Sequence, residues 1–169
     1  MENEMKESNE NNNDVAGQRY LSFSLGAEDY AVPLLSVREV IAIPEITPIP
    51  FTPPHFLGIM NLRGQVISII DLRSKLGIKP KLNAETAVII CDLGTLCLGA
   101  VVDSINSVLA PEAKDVSGKP EIQSSKNSDY ITGIYRKEKQ LIVFLDIAKS
   151  LSVDDQKALL NQTKNKSVA

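Results

Sequence analysis

Period-two alternation opens the foldable part of the chain. Tyr20-Leu21-Ser22-Phe23-Ser24-Leu25 places apolar and polar side chains in turn, as a half-buried strand requires. Gly26-Ala27-Glu28-Asp29 reads as a turn and Tyr30-Ala31-Val32-Pro33 as the return strand of a hairpin. Leu34 to Ile41 reads as one helical turn running into a strand. Pro44, Pro48, Pro50, Pro53 and Pro54 then exclude a long helix and predict a stiff, extended loop. Leu57 to Asn61 and Gln65 to Asp71 are predicted strands joined by Leu62-Arg63-Gly64, where Gly64 can supply positive φ. Leu72 to Leu76 suits a short helix, with Gly77 as its left-handed cap.

The pattern then repeats. Ala87 to Cys91 and Leu96 to Val102 are predicted strands around the turn Asp92-Leu93-Gly94-Thr95. Gly94 follows Gly26 by 68 residues, and Ser104-Ile105 and Val108-Leu109 follow Ser36-Val37 and Val40-Ile41 by the same interval. Gly133, Gln140, Asp146 and Leu151 follow Gly58, Gln65, Asp71 and Leu76 by 75. The interval lengthens across residues 110–132, which are polar and read as a loop, where insertions are tolerated. The second copy keeps the apolar frame and loses the Arg-Gly turn. A duplicated unit of about five short strands favours a small closed barrel, because closure removes sticky edges. Neither unit is large enough for a substantial core of its own, so the two are expected to share one.

Residues 1–17 are polar, rich in Asn and Glu, and are expected to form a disordered tail. Ser152-Val153-Asp154-Asp155 has the capping-box pattern, so a short helix is expected over residues 156–161, with fraying from Lys164 onward. The net charge of −3 resides in that first segment, where Glu2, Glu4, Glu7, Glu10 and Asp14 face Lys6 alone. The rest of the chain is nearly neutral, which predicts neither a nucleic-acid face nor a polybasic membrane patch. No apolar run approaches the roughly 20 residues of a membrane span, and the N-terminus lacks a secretory pattern. Cys91 and Cys97, in apolar surroundings, are expected to be reduced and buried in a cytoplasm. His55 is the only histidine, and flanked by Pro54 and Phe56 it is read as structural. No phosphate loop, metal cluster or nucleophile signature is present, so no cofactor is expected. Asp71, Asp103 and Asp146 sit at strand ends, where acid–base groups are found in enzymes. Asp71 and Asp146, however, occupy equivalent points of the two copies, which favours helix capping at each.

Several short runs, each weak alone, are specific in their order and spacing. They are Leu25-Gly26 with Tyr30, Val37-Arg38-Glu39-Val40, Gly58-x-x-Asn61-Leu62-Arg63-Gly64, Asp71-Leu72-Arg73, Gly99-x-Val101-Val102-Asp103, and Thr132-Gly133 followed by Leu145-Asp146. In these marks the chain resembles the CheW family of chemotaxis adaptors over roughly residues 18–155. Ile43-Pro44 and Ser68, where the family usually has proline, depart from the common wording. The resemblance implies an all-β fold of two intertwined five-stranded SH3-like barrels. The first would cover about residues 18–82 and the second about 84–152, with strand exchange between them left open. It implies a noncatalytic, cytoplasmic coupling protein, monomeric in isolation. Such a protein bridges chemoreceptor tips to the CheW-like regulatory domain of the histidine kinase CheA, within polar or membrane-associated arrays. A CheW-like adaptor of a non-swimming pathway such as twitching is the alternative. The CheV proteins and the kinase need further domains for which this chain has no room.

Arg63 is the first candidate for receptor binding. Its rigid fork of donors suits carboxylates and helix carbonyls, and a tight turn can project it into a groove between the barrels. The plainer reading is a solvated turn arginine. Glu39 is a candidate to pair with it and hold its geometry, against the reading of an exposed glutamate that contributes little. Val37 and Val102 are candidates to line a groove for a receptor helix. Ile41, Val66 and Ile69 are candidates for the kinase-facing apolar patch. All five are equally ordinary core residues.

Overall fold

The computed structural model describes residues 17–81, 83–94, 96–118, 130–152 and 154–158. Residues 1–16 of the tail expected over 1–17, the end of the terminal helix and the frayed C-terminus lie outside the described residues. The strands are β1 (Tyr20–Leu25), β2 (Glu28–Pro33), β3 (Val37–Ala42), β4 (Phe56–Leu62), β5 (Gln65–Asp71), β6 (Ala87–Asp92), β7 (Cys97–Val102), β8 (Ser104–Leu109), β9 (Val116–Ser117), β10 (Ile131–Lys137) and β11 (Gln140–Leu145). Two one-turn helices, α1 (Leu72–Lys75) and α2 (Ile147–Ser150), follow β5 and β11. Residues 154–158 are again helical (α3). A single 3₁₀ turn over Leu34–Ser36 leads into β3, as the apolar pattern predicts.

The strands form two sheets, β3-β6-β7-β5-β4 and β8-β1-β2-β11-β10-β9. The sequence repeat makes β1, β2, β3, β4 and β5 the counterparts of β6, β7, β8, β10 and β11. Replacing each strand by its counterpart converts the first order into the second. Each sheet therefore draws strands from both halves of the chain, and the exchange is reciprocal. The parallel pairs β5–β7 and β2–β11 are the two joints where the halves meet.

Both sheets close in the same way. In the first, Thr47 pairs with Ile59 of β4 through two 2.9 Å backbone hydrogen bonds, joining the chain beyond β3 to the opposite edge. In the second, Ser117 of β9 pairs with Ile134 of β10. Ile59 and Ile134 are repeat equivalents. Residues 110–132 are thus not wholly loop as expected. They carry the 3₁₀ turn Ala113–Asp115 and the two-residue strand β9, which is too short to show a period. The second sheet consequently has six strands, one more than expected.

The strands β1, β5, β6 and β7 bury both faces over most of their length, so their buried runs are nearly continuous. On β6, Ala87, Ile89 and Cys91 enter a central cluster with Leu21, Phe23 and Leu25 of β1 and Leu98, Ala100 and Val102 of β7. Val88 and Ile90 point the other way, into the first barrel, with Met60, Ile67, Ile69 and Val101. Tyr20, Ala31, Tyr135, Ile142 and Phe144 fill the second barrel, where the rings of Tyr20 and Phe144 stack at 4.2 Å. The central cluster takes residues from both sheets, and so the two SH3-like barrels share a core.

Candidate protein-docking site

The β4–β5 connection is a two-residue turn, with Leu62 paired to Gln65. Arg63 and Gly64 both take positive φ, 51° and 84°, as a hairpin turn matched to strand twist requires. The Asn61 carboxamide oxygen accepts from the Gly64 N–H at 2.8 Å and steadies the turn. Positive φ was expected of Gly64 but not of Arg63.

The Arg63 side chain, 75% exposed, reaches Glu39 on β3. Its Nη1 donates to Oε1 at 2.8 Å and its Nη2 to Oε2 at 3.0 Å, a bidentate fork. The Glu39 hydrogen bond, and then its charge, raises the guanidinium above its ordinary pKa. Because β3 and β4 are opposite edges of one sheet, the pair also spans the barrel seam. A register shift between Val37 and Glu39 leaves Arg38 as an extra residue in β3. Such a bulge re-aims the side chains around it. Val37 accordingly packs on the central cluster, Ile41 on the barrel interior. Arg38, Glu39, Leu62, Arg63, Gln65 and Ile90 line a groove of about 410 Å³ at this corner.

The remaining candidates separate. Val37 is half-buried and lies outside the groove lining. Val66 is 38% exposed and Ile41 half-buried, so both retain surface. Val102 and Ile69 are each 0% exposed, inside the central cluster and the first barrel. Neither presents a side chain to a partner in this conformation, because their strands are covered on both faces. Cys91 is enclosed, and burial, followed by the neighbouring Cys97, pushes its thiol up to about 12. Cys97 is only half-buried, contrary to expectation, and accepts from Arg38 Nη1 at 3.1 Å.

The strand-end carboxylates are engaged structurally. Asp71 caps α1 through the Arg73 N–H and Asp146 caps α2 through the Lys149 N–H, as the repeat predicts. Asp71 has a second role that the sequence did not disclose. Arg73, 5% exposed, bonds both Asp71 oxygens at 2.9 and 3.0 Å and Asp103 Oδ1 at 2.8 Å. Asp103 Oδ2 in turn accepts from Gly26 N at 2.6 Å, so this buried cluster ties the β1–β2 turn of one barrel to α1 of the other. The Ser152–Asp155 capping box closes reciprocally, at 3.1 Å from Asp155 N and 2.9 Å from Ser152 N. Asp155 also holds His55 Nε2 and Lys75 Nζ at 2.7 Å each. Nothing in the spacing of residues 55, 75 and 155 signals that meeting. Among the described residues no cluster of three or more His, Cys, Asp or Glu is placed to hold a metal ion.

A family model described as "CheW-like domain" matches residues 19–155. Among similar sequences, the chemotaxis protein CheW of Klebsiella aerogenes is 32% identical over 153 residues, covering 90% of this chain and 92% of that protein. The chemotaxis protein CheW of Helicobacter pylori is 30% identical over 137 residues, covering 80% of this chain and 82% of that one. Among solved structures, the scaffolding protein TtCheW of Thermoanaerobacter tengcongensis superposes with a TM-score of 0.70 at 28% identity, covering 76% of this chain and 88% of that one.

Proposed function

This chain belongs to the CheW family, and on that premise we propose that it is a noncatalytic adaptor coupling chemoreceptors to the histidine kinase CheA in bacterial chemotaxis arrays. The observation that carries the reading is the Arg63–Glu39 fork, fixed on a tight turn beside an open groove. A receptor helix is the proposed occupant, with Arg63, Glu39 and the margin of Val37 as its contacts. The kinase's CheW-like domain is proposed to meet the apolar surface around Val66 and Ile41. Val102 and Ile69, each 0% exposed, are left out of both proposed surfaces. The engaged state of Asp71, Asp103 and Asp146 supports a docking role over acid–base chemistry. Among the described residues no helix is long and apolar enough to cross a membrane. Recruitment to membranes would then follow from receptor binding, and modest single affinities would gain from multivalency in an array.

The test is Arg63→Glu, which places two carboxylates at the turn. Sedimentation with receptor-containing membranes should fall, while capture by immobilised kinase and the circular dichroism spectrum stay near wild type. Equal loss of kinase capture, or unfolding, would contradict the assignment of this turn to receptors.

A further inference from the structure

The basic groove holds two arginines, and only one is matched. Arg63 commits both terminal nitrogens to the two oxygens of Glu39, at 2.8 and 3.0 Å. That fork is closed, and its charge is neutralised within the chain. Arg38 lines the same groove from the β3 bulge. Its contacts are neutral and weak: Gln65 Oε1 at 3.5 Å, at the limit of a hydrogen bond, and the Cys97 thiol. Among the described residues, Arg38 makes no ion pair with a carboxylate. A guanidinium carries five donors in a planar arrangement suited to bidentate capture of a carboxylate.

We propose that Arg38, and not Arg63, supplies the unsatisfied positive charge of this site, and that it takes an Asp or Glu carboxylate from the helical partner. This rests on the receptor reading above and specifies the chemistry of the occupant. Arg63 and Glu39 then act as a preformed wall, while Arg38 reads the partner's charge.

The strand gives the spacing. Val40, the next outward residue of β3, is 40% exposed. Alternate strand residues stand about 6.5–7 Å apart. Residues one helical turn apart are separated by about 5–6 Å at Cβ. A partner helix bearing an acid and, one turn away, an apolar residue fits Arg38 and Val40 together. The repeat supplies an internal control. The counterpart of Arg38 is Asn106, whose Nδ2 is held by Ser24 Oγ at 3.0 Å and Asp29 Oδ1 at 3.2 Å. The counterpart of Arg63 is Glu138, also at positive φ (55°), although Lys139, the counterpart of Gly64, is not. The second barrel thus has Asn106 and Glu138 where the first has its two arginines, and an acidic partner would distinguish the two corners.

The experiment titrates the full chain with a soluble cytoplasmic-tip fragment of a chemoreceptor from the same cell, by calorimetry at low and moderate salt. Arg38→Gln should weaken binding by about tenfold or more and flatten its salt dependence, with Arg38→Lys in between. Capture by immobilised kinase should be unchanged. A second readout needs no variant: the Arg38 Nε–H resonance of the wild-type chain should shift on addition of the fragment. Arg38→Gln binding within about twofold of wild type with the same salt slope, or an unmoved Nε–H signal in a formed complex, overturns the inference and leaves the adaptor reading standing. No binding by the wild-type chain overturns both.

Discussion

Gly58 and Gly133 are repeat equivalents with different tolerances, and the difference tests how the barrels close. Gly58 has φ 140°, and a Cβ there would lie 2.0 Å from the Thr47 carbonyl oxygen and 2.6 Å from its carbon. Both are backbone atoms, so no side chain can swing aside. At Gly133 a Cβ would stand 3.2 Å from the Ser117 oxygen, and its φ is not positive. Gly58→Ala therefore incurs backbone strain of about 1–3 kcal/mol and disrupts the two Thr47–Ile59 hydrogen bonds at about 1 kcal/mol each, roughly 3–5 kcal/mol in total. Gly133→Ala needs a shift of only tenths of an ångström, partly offset by the lower entropy of unfolded alanine, and should cost less than about 1 kcal/mol. Urea unfolding followed by circular dichroism measures both, and amide exchange at Ile59 reports the seam directly. Equal losses for the two variants, or a loss below about 1 kcal/mol for Gly58→Ala, would refute the claim that the Thr47 seam closes the first barrel by backbone contact.

The other predictions concern buried charge. Arg73→Leu leaves Asp71 and Asp103 facing each other without their cation and should destabilise by about 3–5 kcal/mol in urea; Arg73→Lys should recover little, because a point charge cannot span both carboxylates. A loss under about 1 kcal/mol would mean that the cluster does not hold the barrels together. Burial alone would raise the Asp155 carboxyl, but Lys75, the Ser152 N–H and His55 prevail and hold it below its ordinary value. Its contribution is therefore complete above about pH 4 and is lost as pH falls through the lowered folded value. Melting temperatures from pH 5 downward should fall more steeply for wild type than for Asp155→Asn, and parallel curves would remove Asp155 as the acid-sensitive group.

Much of the site was visible along the chain. A tight turn at Arg63-Gly64 and caps at Asp71 and Asp146 followed from local chemistry or from the repeat, and Glu39 stood as one candidate partner for Arg63. Arg38 was quoted only as one letter of a motif, because a bulge leaves no mark in the sequence. His55, Lys75 and Asp155, like Arg73 and Asp103, meet only after distant segments pack. The burial of Val102 and Ile69 is illegible in the sequence for a related reason. An apolar residue in a strand has the same local signature whether its face meets a partner or a second sheet.

The sequence by itself determined the strands other than β9, the turns, the capped one-turn helices and the duplication, because each follows from nearest-neighbour sterics and side-chain periodicity. Only the tertiary structure decided which half each strand pairs with. Backbone hydrogen bonds between strands are indifferent to side-chain identity, so the choice between keeping and exchanging strands falls to the burial of both faces at once. That choice made the shared core, brought Glu39 to Arg63 across the seam, and left the neighbouring Arg38 exposed without a carboxylate partner among the described residues.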